Sequence, residues 1–292
     1  HHCRRWRGPA RRRRGSVGVM DLLLLKIALV TYLGAAVGLS LHLLSLRPAA
    51  RTAGTIALAT AFAAHGLSIL FRSLAAGYPA FTTEYEALSF FAWLTVGVYL
   101  GVQARYRLPA VGAVVAPLAF MVTLASFAFY AGVRELPPNL RSAWLPVHVT
   151  AAFLGHAVLA LAFCVSLVYL FRERQLKKKR SGGLASRLPS LEALDALNYR
   201  ALAWGFPLLT LGIVTGALFA KHTWGRFWSW EEREIFSFIT WMLYAGLLEA
   251  RMVVGWRGRR AATVTIVGFV VLLVSFVFGH MIFPGKHGGS FD

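Results

Sequence analysis

Apolar residues fall along this chain in long, nearly unbroken runs separated by short basic stretches. About 20 consecutive apolar residues suffice to cross a bilayer core as a helix. About eight such runs are present, at 21–46, 53–73, 85–104, 108–131, 145–171, 201–220, 235–254 and 262–283. The pattern predicts an all-α, polytopic integral membrane protein with about eight transmembrane helices. Composition agrees: of 292 residues 57% are hydrophobic, and the mean hydropathy of +0.59 is too high for a soluble domain. No internal repeat and no soluble domain stands out.

The net charge of +19 would by itself suit a nucleic-acid partner. Its placement argues against one. Arg47 and Arg51 follow the first run, and Arg105 and Arg107 the third. Arg172, Arg174, Lys177, Lys178, Lys179, Arg180, Arg187 and Arg200 lie between the fifth and sixth; Arg251, Arg257, Arg259 and Arg260 follow the seventh. In an eight-span chain all of these share one side, which the positive-inside rule makes cytoplasmic. Both termini then lie outside, in a bacterial inner membrane, and the partners are lipids rather than nucleic acid.

Residues 1–19 run against this scheme, with seven arginines and no acid. The expectation is that translation begins at Met20, that 1–19 is not native or not ordered, and that 20–292 forms one membrane domain. Without those seven arginines the formal charge falls from +19 to +12. A genuine basic leader is the alternative, and it would weaken the orientation. Cys3 and Cys164 form no CxxC pair, so the chain carries no thiol–disulfide machinery. No P-loop, dinucleotide fingerprint or serine or cysteine nucleophile motif is visible.

The sixth run delivers the chain to its most unusual stretch, an outer loop at 221–234. Trp224, Trp228 and Trp230 lie in it, and Trp241 follows in the seventh run. Ser229 with Glu232 reads as a capping box that starts the next helix. Glu231, Glu232 and Glu234 suit its first turn. Trp224, Phe227 and Trp228 are spaced to form one aromatic wall, with Lys221, Arg226 and Arg233 around it. Such a wall is either an interfacial aromatic belt or a platform for a large flat ligand bearing carboxylates. Haem has both properties.

Haem iron takes axial imidazoles, and span parity brings two histidine-bearing segments to the loop's side. His148 precedes the fifth run, with His156 eight residues deeper on roughly the same face. His280 and His287 follow the last run. His148 and His287 are the expected iron ligands, with His280 competing for the second place. His222 lies beside the platform, within reach of a propionate. His42, near the inner end of the first run, and His65, at mid-depth in the second, are either packing residues or further ligands.

These residues resemble a known family. Trp224-Gly225-x-x-Trp228-Ser229-Trp230, Glu234, and Ile239-Thr240-Trp241-x-x-Tyr244-Ala245 are similar to the tryptophan-rich WWD signature of the CcsA/ResC cytochrome c assembly proteins. Thr83-x-Tyr85-Glu86-x-Leu88-Ser89-Phe90-Phe91-Ala92-Trp93 and Arg251-Met252-x-x-Gly255-Trp256-Arg257-Gly258 extend the likeness. It runs from about Leu22 to His287. Glu84 and Glu86 are also expected to cap the third helix. The resemblance implies a haem-handling subunit of a holocytochrome c synthase, with haem b as bound substrate. His148 and His287 match the outer ligands of that family. It also implies a ResB/CcsB-like membrane partner, an apocytochrome c with a CxxCH segment, and a thioredoxin-like reductase that keeps those thiols reduced.

Two departures bear on the site. Glu249 stands where the family has a histidine near the inner end of the seventh helix; it is expected to pair with Arg251 or a partner, or to ligate weakly. His42, His65 or His156 would supply a substitute. The motif's Asp-Pro-Lys-Glu has become Glu231-Glu232-Arg233-Glu234, without the proline. A HemX-like regulator of haem synthesis, a haem exporter without ligase activity, and a transporter with a merely anchoring loop are the alternatives.

Overall fold

The computed structural model describes residues 9–45, 47–130, 132, 142–179, 184 and 187–282, with side chains described from 19 to 274 except 232 and 233. Eight helices carry the fold: α1 Pro9–Ser45, α2 Pro48–Ala76, α3 Glu84–Tyr106, α4 Pro109–Ser126, α5 Trp144–Lys177, α6 Leu191–Trp224, α7 Glu232–Met252 and α8 Arg259–Ile282. The eight expected helices are all present. Among the described residues six are long and apolar enough to cross a membrane, namely 19–45 within α1 and α2 to α6.

Local chemistry sets the boundaries. Pro48 and Pro109 open α2 and α4, where a missing N–H costs nothing. Thr83 caps α3 through a reciprocal box with Glu86; of the two expected caps, Glu84 and Glu86, Glu86 takes part and Glu84 stands in the first turn. Gly77 and Gly225 end α2 and α6 in the left-handed conformation. α6 begins well before its apolar run, at Leu191, and is started by Ser190, whose hydroxyl accepts from Ala193 N. Pro207 sits inside α6 without ending it.

Two helix pairs are in backbone contact through glycine. A Cβ on Gly38 of α1 would lie 2.9 Å from Gly54 Cα of α2. On Gly155 of α5 it would lie 2.7 Å from Leu209 N of α6, and on Gly212 2.8 Å from Ala152 Cα. Small residues let helices approach this closely where lipid supplies no hydrophobic drive. The central core joins α1 to α6, with Tyr32, Leu58, Val96, Val111, Cys164 and Leu194 fully buried. Phe91, Phe153 and Phe269 link α3, α5 and α8. The outward rows of α1 and α2, among them Leu23, Val30, Val37, Ile56 and Leu74, are exposed apolar surface, as a lipid-facing wall requires.

Hydrogen bonds sort the two ends. At the basic end the Arg187 guanidinium donates to the Leu43 and Leu44 carbonyls, and Arg200 to the Tyr106 hydroxyl at 2.7 Å. Arg251 grips Asp195 with two nitrogens, at 3.1 and 2.8 Å, and Asp195 also accepts from Gly258 N at 2.9 Å. Arg251 therefore pairs with Asp195, across 56 residues, and not with the nearby Glu249, which is exposed. The opposite end holds Arg72, 2% exposed, between Glu86 at 2.7 Å and Asp21 at 3.3 Å. Tyr85 lies under its guanidinium, 4.6 Å from ring centroid to carbon. Glu86 also accepts from Thr82 and Thr83 backbone N–H groups.

Removing one member of a buried ion pair leaves its partner uncompensated, at about 3–5 kcal/mol. Arg72→Met is expected to lower the thermal midpoint of the detergent-solubilised protein strongly, since it strands two carboxylates. Adding Asp21→Asn and Glu86→Gln to it is expected to recover most of the loss. Equal melting of Arg72→Met and wild type, followed by circular dichroism, would show that this cluster does not hold the three helices.

Candidate functional site

The α5–α6 contact places the first candidate ligand. His148 lies one turn inside α5, and its Nδ1 is 2.8 Å from the Gly212 carbonyl of α6. A carbonyl only accepts, so Nδ1 carries the proton. In the neutral ring Nε2 then holds the lone pair, the arrangement that metal-bound histidines use. Gly216 makes the room: a Cβ there would lie 2.7 Å from His148 Cε1. The imidazole is parallel to the Phe219 ring, 6.4 Å between centroids and 2° between planes. Trp224 stands edge-on to Phe219 at 5.6 Å. Gly212, Gly216, Phe219 and Thr223 recur at i, i+4, i+7 and i+11, so they share one face of α6.

The remaining tryptophans form a second group. Trp230 meets Trp228 edge-on at 5.9 Å, and Trp228 meets Phe238 of α7 edge-on at 6.4 Å. Phe238 is parallel to Trp241 at 6.3 Å, and Trp241 packs on Phe206 of α6 at 5.4 Å. Trp241 Nε1 donates to Thr210 Oγ1 at 2.9 Å. Thr210 is two residues from Gly212, about 200° round the helix, so α6 separates this ladder from His148. The connection after Trp224 carries the chain from the first group to the second.

That connection differs from expectation in three respects. Lys221–Trp224, with His222, is the last turn of α6 rather than loop, because Gly225 (φ 79°) closes the helix there. Trp224, Phe227 and Trp228 therefore do not line up at helical spacing, and no single wall forms. The start of α7 is capped by Glu231 rather than Ser229, and the box partner is Glu234 rather than Glu232. Glu234 Oε2 accepts from Ser229 N at 2.7 Å and from Glu231 N at 3.3 Å, which ties the loop back on the helix. Lys221 donates to the Gly225 carbonyl and lies over Phe227 at 5.4 Å. Arg226 and His222 are exposed.

Two features of this end bear on ligand binding. Trp230 is 73% exposed with φ 59°, a left-handed backbone that costs a bulky residue of order 1–3 kcal/mol. Trp228 Nε1 and Thr223 Oγ1 are buried with no hydrogen-bond partner among the described residues. Buried donors left open in this way are rare, and the carboxylates of a bound ligand would satisfy them. The chemistry fits a porphyrin: an imidazole with a fixed tautomer, aromatic faces, and two donors awaiting acceptors.

The other histidines divide. His65 is fully buried, with Nδ1 3.2 Å from the Tyr32 hydroxyl and Nε2 2.7 Å from Ser89 Oγ, so both nitrogens are engaged in packing α1, α2 and α3. His42 lies at the basic end, its Nδ1 3.2 Å from the Arg47 carbonyl. Glu249 is also toward the basic end of its helix. His42 and Glu249 thus lie at the end of the bundle opposite to Trp224, Trp228 and Trp230. His156 lies on α5 against Phe153, eight residues below His148, with ring centroids 6.1 Å apart. His287 lies outside the described residues; α8 runs towards it, from the basic end. Sequence reasoning passed over the Gly212 carbonyl, Phe219, Phe238 and Thr223. The i, i+4, i+7, i+11 spacing was the signal available for three of these, Gly212, Phe219 and Thr223.

Comparison with known proteins gives a consistent result. A family model described as cytochrome C assembly protein matches residues 81–285. A cytochrome c biogenesis protein CcsA of Prochlorococcus marinus (strain MIT 9303) is 35% identical over 240 residues, 72% of this chain and 76% of that protein. The CcsA of Guillardia theta is 32% identical over 237 residues, 74% of this chain and 78% of its own. Among solved structures the cytochrome c heme lyase CcmF has the same fold, with a TM-score of 0.63 at 15% identity. The match covers 93% of this chain, which spans about half, 53%, of CcmF. The chain is thus a CcsA-like member of the cytochrome c assembly protein family, and its function is cytochrome c biogenesis.

Proposed function

We propose that this protein binds haem b at the tryptophan-bearing end of its helix bundle and presents it to the CxxCH thiols of an apocytochrome c. His148 is one axial ligand and His287 the other. The observation that carries the reading is the hydrogen bond from His148 Nδ1 to the Gly212 carbonyl, which fixes the ring and its tautomer. Phe219 lies parallel to the imidazole and Trp224 stands against Phe219, while Trp228 Nε1 and Thr223 Oγ1 receive the propionates. Arg226 adds positive charge at the rim. The basic end lies in the cytoplasm by the positive-inside rule, so this site faces outward.

Attachment needs little acid–base help from the chain. Each cysteine thiol adds across a haem vinyl group; a C–S bond forms, the thiol proton moves to carbon, and no electron is gained or lost. What the protein supplies is position and exclusion of wrong geometries. Without a CxxC pair it relies on a thioredoxin-like reductase for the thiols, and a ResB/CcsB-like membrane protein completes the assembly.

Three measurements test this. His148→Ala is expected to abolish the haem absorption bands of the purified protein, and added imidazole to restore them. Full haem occupancy in both His148→Ala and His287→Ala would overturn the ligand assignment. Gly216→Val should act through His148, displacing the ring from Gly212 and lowering haem occupancy, with rescue by imidazole as well; wild-type occupancy would remove the positioning role. Trp230→Gly relieves the left-handed strain, so the melting temperature should hold or rise while haem retention falls. A variant that melts lower and keeps its haem would show that the strain serves the fold alone.

A further inference from the structure

We propose that the basic end of the bundle carries a built site for one acyl chain of an anionic phospholipid. A cavity of about 400 Å³ opens there between the ends of α1, α4 and α5 and the connection into α6. Its wall is almost wholly apolar, with Leu43, Val114, Leu167, Phe171 and Leu188 among the residues that form it. That is the lower part of the size range of small-molecule pockets, and its shape and chemistry suit a hydrocarbon chain rather than a polar metabolite.

One polar side chain lines the cavity, and it is a cation. Arg174 is exposed and has no acidic partner among the described residues. The nearest acid in sequence, Glu173, is already taken by Lys177 at 2.8 Å. Arg107 stands three residues before Ala110, another wall residue, and Arg187 is bound to the carbonyl of Leu43. Arg174, on the last turns of α5, is the cation a phosphate at the mouth would meet, while the lipid's chain leaves water for an apolar slot. It is placed where a headgroup lies when the chain points into the bilayer, at the level where the helix ends. Attraction to anionic lipid of about 1 kcal/mol per such cation corresponds to about fivefold in retention. The site is at the opposite end from His148 and independent of haem binding.

The full chain, reconstituted in vesicles of equal phosphatidylglycerol and phosphatidylcholine with identical acyl chains, is then extracted in mild detergent and weighed by native mass spectrometry. The expected result is one retained phosphatidylglycerol, favoured about fivefold over phosphatidylcholine. Arg174→Gln should bring the two lipids to parity. Val114→Trp, which fills the cavity, should lose the retained lipid of both kinds. Equal retention of the two lipids by the wild type would overturn the proposal, leaving an apolar slot without headgroup selection. So would unchanged retention in a folded Val114→Trp protein. Should that variant fail to fold, an unaltered preference in Arg174→Gln has the same force.

Discussion

The contact on which the site depends is backbone against backbone. Gly155 admits the α6 chain at Leu209, and Gly212 admits α5 at Ala152. Closing that gap by two helices that lack side chains at the crossing brings His148 within hydrogen-bond reach of a carbonyl on its neighbour. A helical carbonyl normally serves its own ladder; that of Gly212 also accepts from Thr215 Oγ1 at 3.1 Å and from His148 Nδ1 at 2.8 Å. The imidazole is thereby held by a group that cannot rotate away. Side-chain partners would leave both members free to turn; a glycine-lined backbone does not.

Charge is distributed by the same economy of helix ends. Asp195 receives both nitrogens of Arg251 and the N–H of Gly258, so one carboxylate closes α6, α7 and the entry to α8 together. Asn198 extends this contact inward to Ser166 and Thr265. At the other end Arg72 gathers α1, α2 and α3. In a medium where an unpaired ion is costly, each cluster specifies which helix ends lie together, something that interchangeable leucines do poorly. The register needed for His148 to face Gly216 follows from ends fixed in this way.

How much of this the sequence discloses depends on range. Eight helices are legible because an apolar run of bilayer length has few other solutions, and Thr83 with Glu86 announces the start of α3. The start of α7 is misread at Ser229, because two more glutamates nearby offer the same first-turn charge and only the chain's path after Gly225 decides between them. Arg251 looks paired to Glu249 by proximity, yet Asp195, distant in sequence, offers a bidentate fit. Asp21 and Arg72 are 51 residues apart, and nothing local to either names the other as its partner. The Gly225 break cannot be weighed from composition, and it decides the shape of the site.

That shape changes what the tryptophans can do. A single wall at helical spacing would present one flat face to a ligand. The observed rings alternate instead: Trp230, Trp228 and Phe238 meet edge to face, and Trp224 stands across Phe219. Edge-to-face contact is the favoured geometry for aromatic pairs, and it makes corners rather than a shelf. A planar ligand fits a corner by one face and one edge, leaving its other edge reachable from solvent. On the function proposed above, in which a porphyrin hands its vinyl groups to thiols on another protein, an open edge serves the chemistry where a closed sandwich would block it. The exposed, strained Trp230 stands at the outer limit of that corner, where an incoming chain would first meet it.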